Sequence, residues 1–135
     1  MRRKLTREHI FKLLFQIEFN DKDEIPYLEE MFFELDADDV DDKEKNYISE
    51  KFNLIREKLP ELDSKLSENV TGWSIDRLGK VELAILRLAL YEIHYDDTVP
   101  ASVAINEAVE IAKKYGQDGA GAFVNGILAK FAKTE

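Results

Sequence analysis

The chain has 135 residues, 44% of them apolar, no cysteine, and a formal net charge of −9. That is one domain's worth of chain with apolar residues enough for a core; the absence of cysteine excludes disulfides, thiolate metal sites and cysteine nucleophiles, and suits a reducing compartment. No run reaches the ~18 apolar residues of a membrane span and the charged start does not read as a signal peptide, so a soluble cytoplasmic protein is expected.

Helical periodicity runs almost throughout, and alternating strand patterns are absent. A first helix is predicted over residues 6–19, with Thr6 as N-cap. Ile10, Leu13, Leu14 and Ile17 form its stripe, and Phe11 and Phe15 widen the apolar arc to roughly 200°. A second helix, 24–35, turns Ile25, Leu28, Phe32 and Leu35 inward. An acidic loop, 36–42, caps a third helix over 43–58 that buries Ile48, Phe52 and Ile55. Pro60 ends or kinks it, and a fourth helix reaches about residue 70 on Leu62 and Leu66. A loop from Gly72 to Asp76 leads into a helix over about 75–95. It is apolar almost all round and forms the core of the second half. Pro100 sits near the start of an amphipathic helix, 101–115, with Gly116 as its stop. The last helix, 119–132, sets Phe123, Val124, Ile127, Leu128 and Phe131 on one side. The fold class is all-α, about seven helices, some packing obliquely.

Catalytic and ligand-binding motifs are missing. The sequence holds no HExxH, P-loop, GxGxxG or serine nucleophile elbow, and His9 and His94 lie on different helices. Gly119-Ala120-Gly121 follows no strand and reads as a helix lead-in. The acids of 36–42 lack EF-hand spacing and read as a solvated loop. No catalysis, cofactor or metal is expected.

Charge is uneven. Residues 1–17 sum to +4, residues 18–68 to −11 and residues 69–135 to −2. A globally acidic chain repels nucleic acid at long range, so composition alone favours a protein partner. Three constellations still carry functional weight. Arg2, Arg3, Lys4 and Arg7 crowd a helix N-terminus, where the dipole disfavours cations. A phosphate backbone would profit from them; an ordinary solubilising terminus is the other reading. Lys80, Arg87 and His94 repeat every seven residues and share a face that is solvated or pairs internally with Glu107. Lys113, Lys114 and Tyr115, then a glycine-rich loop and Phe123, could clamp a single-stranded base. Alternatively Phe123 is core and the lysines complement a helix C-terminus.

Several segments in this order resemble a known family. They are Arg77-Leu78, then Leu86-Arg87-Leu88-Ala89-Leu90-Tyr91-Glu92; Val99-Pro100, then the run from Val103 to Lys113; and Phe123-Val124-Asn125-Gly126-Ile127-Leu128. The match is specific over residues 72–128 and looser at Arg7-Glu8 and the apolar helix that follows. The segments resemble the NusB family of bacterial transcription antitermination factors. The resemblance implies one NusB-like RNA-binding domain, 1–135, of two small packed helical subdomains, 1–70 and 71–135. It implies a heterodimer with NusE, a small-subunit ribosomal protein, that binds boxA RNA within the RNA polymerase antitermination complex. By matching positions, Arg2, Arg3, Lys4 and Arg7 would meet RNA phosphates. Phe15 and Phe123 would lie near the RNA, and Glu82 at the partner-protein surface. Lys113 and Lys114 join the RNA set through the clamp reading above.

The chain departs from the family pattern at Ala122, at Ala129 and at Gly119-Ala120-Gly121, where more polar residues are usual. With these losses and a charge of −9, weak RNA affinity alone and tighter binding with a basic partner are expected. The alternative is a protein-interaction scaffold with little RNA binding of its own. A surface used in the complex could also self-pair in a homodimer.

Overall fold

Seven α-helices account for most of the residues that the structure, a computed structural model, describes, namely 1–69 and 75–132. They are α1 (Arg3–Gln16), α2 (Ile25–Leu35), α3 (Asp42–Glu57), α4 (Leu59–Asn69), α5 (Lys80–Tyr95), α6 (Ala101–Tyr115) and α7 (Ala120–Ala132). Short 3-10 turns occupy Ile17–Phe19, Lys22–Glu24 and Ile75–Arg77. The described residues contain no strand. The expected end of the fourth helix at residue 70 and the loop from Gly72 to Ser74 lie outside the described residues. The chain divides into two compact units, Met1–Arg56 and the remainder from Glu57 onward.

In the first unit Ile10, Leu13, Leu14, Phe32, Ile48, Phe52 and Ile55 are buried. Side chains tie its helices in pairs. The His9 ring meets Phe32 edge-on at 5.5 Å between centroids, and Lys45 lies over the Phe33 ring at 5.5 Å. The Ser49 hydroxyl donates to the Glu29 carboxylate. Two expectations are corrected here. Thr6 is not the N-cap: α1 starts at Arg3, and the Thr6 hydroxyl donates to the Arg3 carbonyl at 3.0 Å. The start lies earlier because the residue before it, Arg2, is fixed by Glu44 of α3. Leu35 does not face inward but is 69% exposed. At about 100° per residue, Ile25, Phe32 and Phe33 fall on one arc of α2, and Tyr27, Met31 and Leu35 on another. The helix has two apolar faces, and only the first is buried.

In the second unit α5 packs against α4, α6 and α7. Every residue of α5 from Leu83 to Ile93 is buried, as its all-round apolar pattern predicts. The helix starts at Lys80, later than expected, because residues 75–77 form a tighter turn. α4 buries Leu62 and Leu66, packs on α5 and falls in this second unit, whereas the family resemblance implies a division at residues 70 and 71. Pro60 is the second residue of α4, where a missing N–H leaves no helical bond unmade. α6 spans the predicted residues. Between α6 and α7, Ala120 N–H donates to the Gln117 carbonyl at 3.0 Å, and Gly119 adopts φ +88°, a conformation suited to glycine. No helix among the described residues is long and apolar enough to cross a membrane.

Candidate nucleic-acid interface

The first unit presents the N-terminal cations unequally. Arg2, Arg3 and Lys4 are exposed, whereas Arg7 is buried at 8% exposure. Arg2 is also engaged. Its Nε donates to Glu44 Oε2 at 2.9 Å, its Nη2 to Glu44 Oε1 at 2.7 Å, and its backbone N–H to Oε2 at 3.1 Å. The same guanidinium reaches the Asp39 carbonyl at 3.2 Å. Glu44 does two jobs, because it also closes a capping box on α3. Glu44 N–H donates to Asp41 Oδ1 at 2.7 Å, and Asp41 N–H donates to Glu44 Oε1 at 3.3 Å. The Arg2 side-chain and backbone hydrogen bonds hold the Glu44 carboxyl down at about 2. Phe15 is half-buried within an aromatic row, 5.1 Å from exposed Phe19 and 6.5 Å from Phe11 between centroids. Beneath this end of α1, burial and then the nearby Lys12 push the His9 imidazole below its ordinary range. Neither of its ring nitrogens has a hydrogen bond among the described residues.

The second unit holds an open groove of about 250 Å³. Arg77, Gly79, Glu82, Asp118, Gly119 and Phe123 are among the residues that line it. Glu82 and Phe123, expected at different surfaces, are therefore brought to one groove. Glu82 sits in the first turn of α5, where a carboxylate suits the helix dipole. Its carboxylate folds back over Gly79, so a Cβ there would stand 2.5 Å from Glu82 Oε2. Phe123 is half-buried, anchored in the first turn of α7 by its N–H to the Gly119 carbonyl at 3.0 Å. Lys113 and Lys114 end α6 as exposed side chains, outside the groove lining. The Lys113 stem passes 3.4 Å from where a Gly121 Cβ would stand, an ordinary van der Waals contact. Lys114 Nζ lies 5.3 Å from the Tyr115 ring centre.

The face of Lys80, Arg87 and His94 is structural at its centre. Arg87 is buried and clamps Asp63 of α4, Nε to Oδ1 at 2.9 Å and Nη2 to Oδ2 at 2.8 Å. Arg87 thus forms an internal ion pair with Asp63, an acid that the sequence pattern did not single out. His94 Nδ1 lies 3.0 Å from Lys65 Nζ. The sequence reading assigned no role to Arg77 or Asp118. Arg77 carried a faint signal, as a cation beside a leucine just before the core helix. Only folding reveals that it lines one groove with Phe123.

A helical scaffold that offers a cationic helix start in one unit and a polar groove edged by an aromatic in the other defines a macromolecule-binding domain. No cluster of side chains able to hold a metal occurs among the described residues. The profile of the NusB family matches residues 4–133, and the chain belongs to that family. It is a family of transcription antitermination proteins, not of enzymes. The chain is 51% identical over 132 residues to the transcription antitermination protein NusB of Agathobacter rectalis, covering 98% of this chain and 100% of that one. Its fold is similar to that of T. maritima NusB, with a TM-score of 0.86, 38% identity, and 98% and 92% of the two chains covered. It is also similar to a chain in a crystal structure of the antitermination factors NusB and NusE in complex with dsRNA. There the TM-score is 0.82, the identity 26%, and both chains are wholly covered.

Proposed function

We propose that this protein acts in transcription antitermination in the bacterial cytoplasm by binding boxA-type RNA of ribosomal RNA transcripts as a heterodimer with NusE. The observation that carries this reading is Phe123, half-exposed at the lip of a groove beside Arg77, where an unstacked base can lie on its ring. The relative solved with NusE and RNA supports the same pair of partners. Arg3 and Lys4 are the cations best exposed to meet phosphates. Arg2 serves less, because Glu44 occupies its guanidinium. The domain division at residues 70 and 71 implied by the family has no bearing on this chemistry. Phe15, Lys113 and Lys114 complete the proposed RNA set, Arg7 is buried and contributes no exposed charge to it, and Glu82 is the residue assigned to the protein partner.

The test is a titration of boxA RNA with the full chain, with and without NusE, across a salt series. Phe123→Ala is expected to weaken binding by roughly 5- to 150-fold, the range for losing one stacked base. Arg3→Ala with Lys4→Ala should lower the salt slope by about 1.4, the value for two lost single-strand phosphate contacts. Arg2→Ala should lower it less than either. An unchanged slope and affinity in all of these variants would leave the scaffold reading.

A further inference from the structure

A second groove lies in the first unit, and its lining includes none of the residues used above for RNA or for NusE. Of the large apolar side chains exposed among the described residues, Phe19, Tyr27 and Leu35 come from one stretch of seventeen positions. Tyr27 and Leu35 are 66% and 69% exposed. With Met31 they recur every four residues, so they form one stripe down α2. The stripe floors a groove of about 230 Å³ whose rim carries Glu24 and Asp36. Around it the sequence is strongly acidic: residues 18–42 hold twelve acids against one base, Lys22.

We propose that this groove docks a basic amphipathic helix of a protein partner. An apolar stripe at helical spacing takes the apolar face of a second helix. From Tyr27 to Leu35 the stripe is about 12 Å long, which matches two to three helical turns. The acids at the rim and in the surrounding sequence select lysine and arginine on the flanks of that helix. They also exclude the other occupants. RNA would be repelled by the field of this segment. A second copy pairing the same patch by two-fold symmetry would set acid against acid. Tyr27 contributes an amphipathic ring of the kind enriched at binding centres.

The probe is an 18-residue peptide with leucines at helical spacing and lysines elsewhere, added to the full chain at 50 mM salt. The control is a scrambled peptide of the same composition. Amide NMR shifts are expected to concentrate in residues 16–36. Tyr27→Ser with Leu35→Ser should weaken the peptide at least tenfold while leaving RNA affinity unchanged, since both side chains already face solvent. Glu24→Gln with Asp36→Asn should flatten the salt dependence; glutamine keeps the hydrogen bond that Glu24 accepts from Asp21 N–H. The proposal is overturned if the scrambled peptide binds equally, or if the shifts centre on Phe123. It is also overturned if RNA shifts the α2 amides, or if the serine pair abolishes a self-association seen by sedimentation. A loss of RNA binding in Phe123→Ala leaves the peptide result untouched, so the two readings fail separately.

Discussion

Each unit contains an arginine clamped on a carboxylate far away in sequence, and the two clamps are built in opposite senses. In the first unit the acid is buried and the base is outside: the Glu44 side chain is 3% exposed and that of Arg2 54%. In the second the base is buried and the acid lies nearer the surface, with Arg87 at 7% and Asp63 at 29%. The buried member in each case is the one that can least afford to lose its partner. Glu44 retains backbone donors from Arg2 and Asp41, which survive removal of the Arg2 side chain. A guanidinium has five N–H donors to satisfy and no acceptor, and Asp63 takes two of those of Arg87. The comparison separates two arginines of similar appearance in the sequence. One is a lid on a helix cap at the edge of a cationic surface; the other is part of the core of its unit.

The comparison is most easily broken at Asp63. Asp63→Ala removes a carboxylate that pairs bidentately with a buried guanidinium and is expected to cost about 3 kcal/mol, read as a lower urea midpoint at unchanged slope. A loss no larger than that of Arg2→Ala would mean that the two clamps are equivalent after all.

That asymmetry could not be read from the sequence, although much of the surrounding fold could. α6 was legible residue for residue, because Pro100 and Gly116 bracket a regular amphipathic pattern. The burial of α5 was legible because its apolar residues leave no polar face to expose. The start of α1 was not, because it depends on Glu44, 42 positions away, and local cap chemistry pointed to Thr6. Leu35 was misplaced because α2 has two apolar arcs and periodicity does not rank them. At the candidate interface, Glu82 was singled out only through the resemblance to the NusB family, and Phe123 through that resemblance and the clamp pattern. Their meeting in one groove was not legible, since it depends on how α5 and α7 pack.

The turn before α7 sharpens the second unit's side of the comparison. Gly119 has φ +88°, and a Cβ added there would find nothing within 4 Å. Gly119→Ala is therefore a backbone experiment with no steric clash. It should cost roughly 1–2 kcal/mol, the penalty for an L side chain in the left-handed region. Because Gly119 also lines the Phe123 groove, the same variant should weaken boxA RNA by a smaller factor than Phe123→Ala. An unchanged melting temperature would show that this turn relaxes freely.

The smallest effects belong to the first unit and are seen only against pH. The Glu44 carboxyl titrates at about 2 in the fold, against an ordinary 4.5. Its contribution is complete above pH 4.5 and is lost as pH falls toward 2, because the unfolded chain takes up the proton first. His9 acts in the same direction at higher pH. Burial lowers its pKa below 6.5, so the unfolded chain binds the proton first and stability declines as pH falls below 6.5. Melting curves from pH 7 to pH 5 should therefore fall for the native protein and stay flatter for His9→Phe, which keeps a ring against Phe32 and cannot titrate. Below pH 4.5 the variant to compare is Arg2→Ala. Without the guanidinium the Glu44 carboxyl moves back up toward 4.5, so the acid loss attributable to it begins and ends at higher pH. If the two acid limbs superimpose, Arg2 is not holding Glu44, and its side chain is as available to a phosphate as those of Arg3 and Lys4.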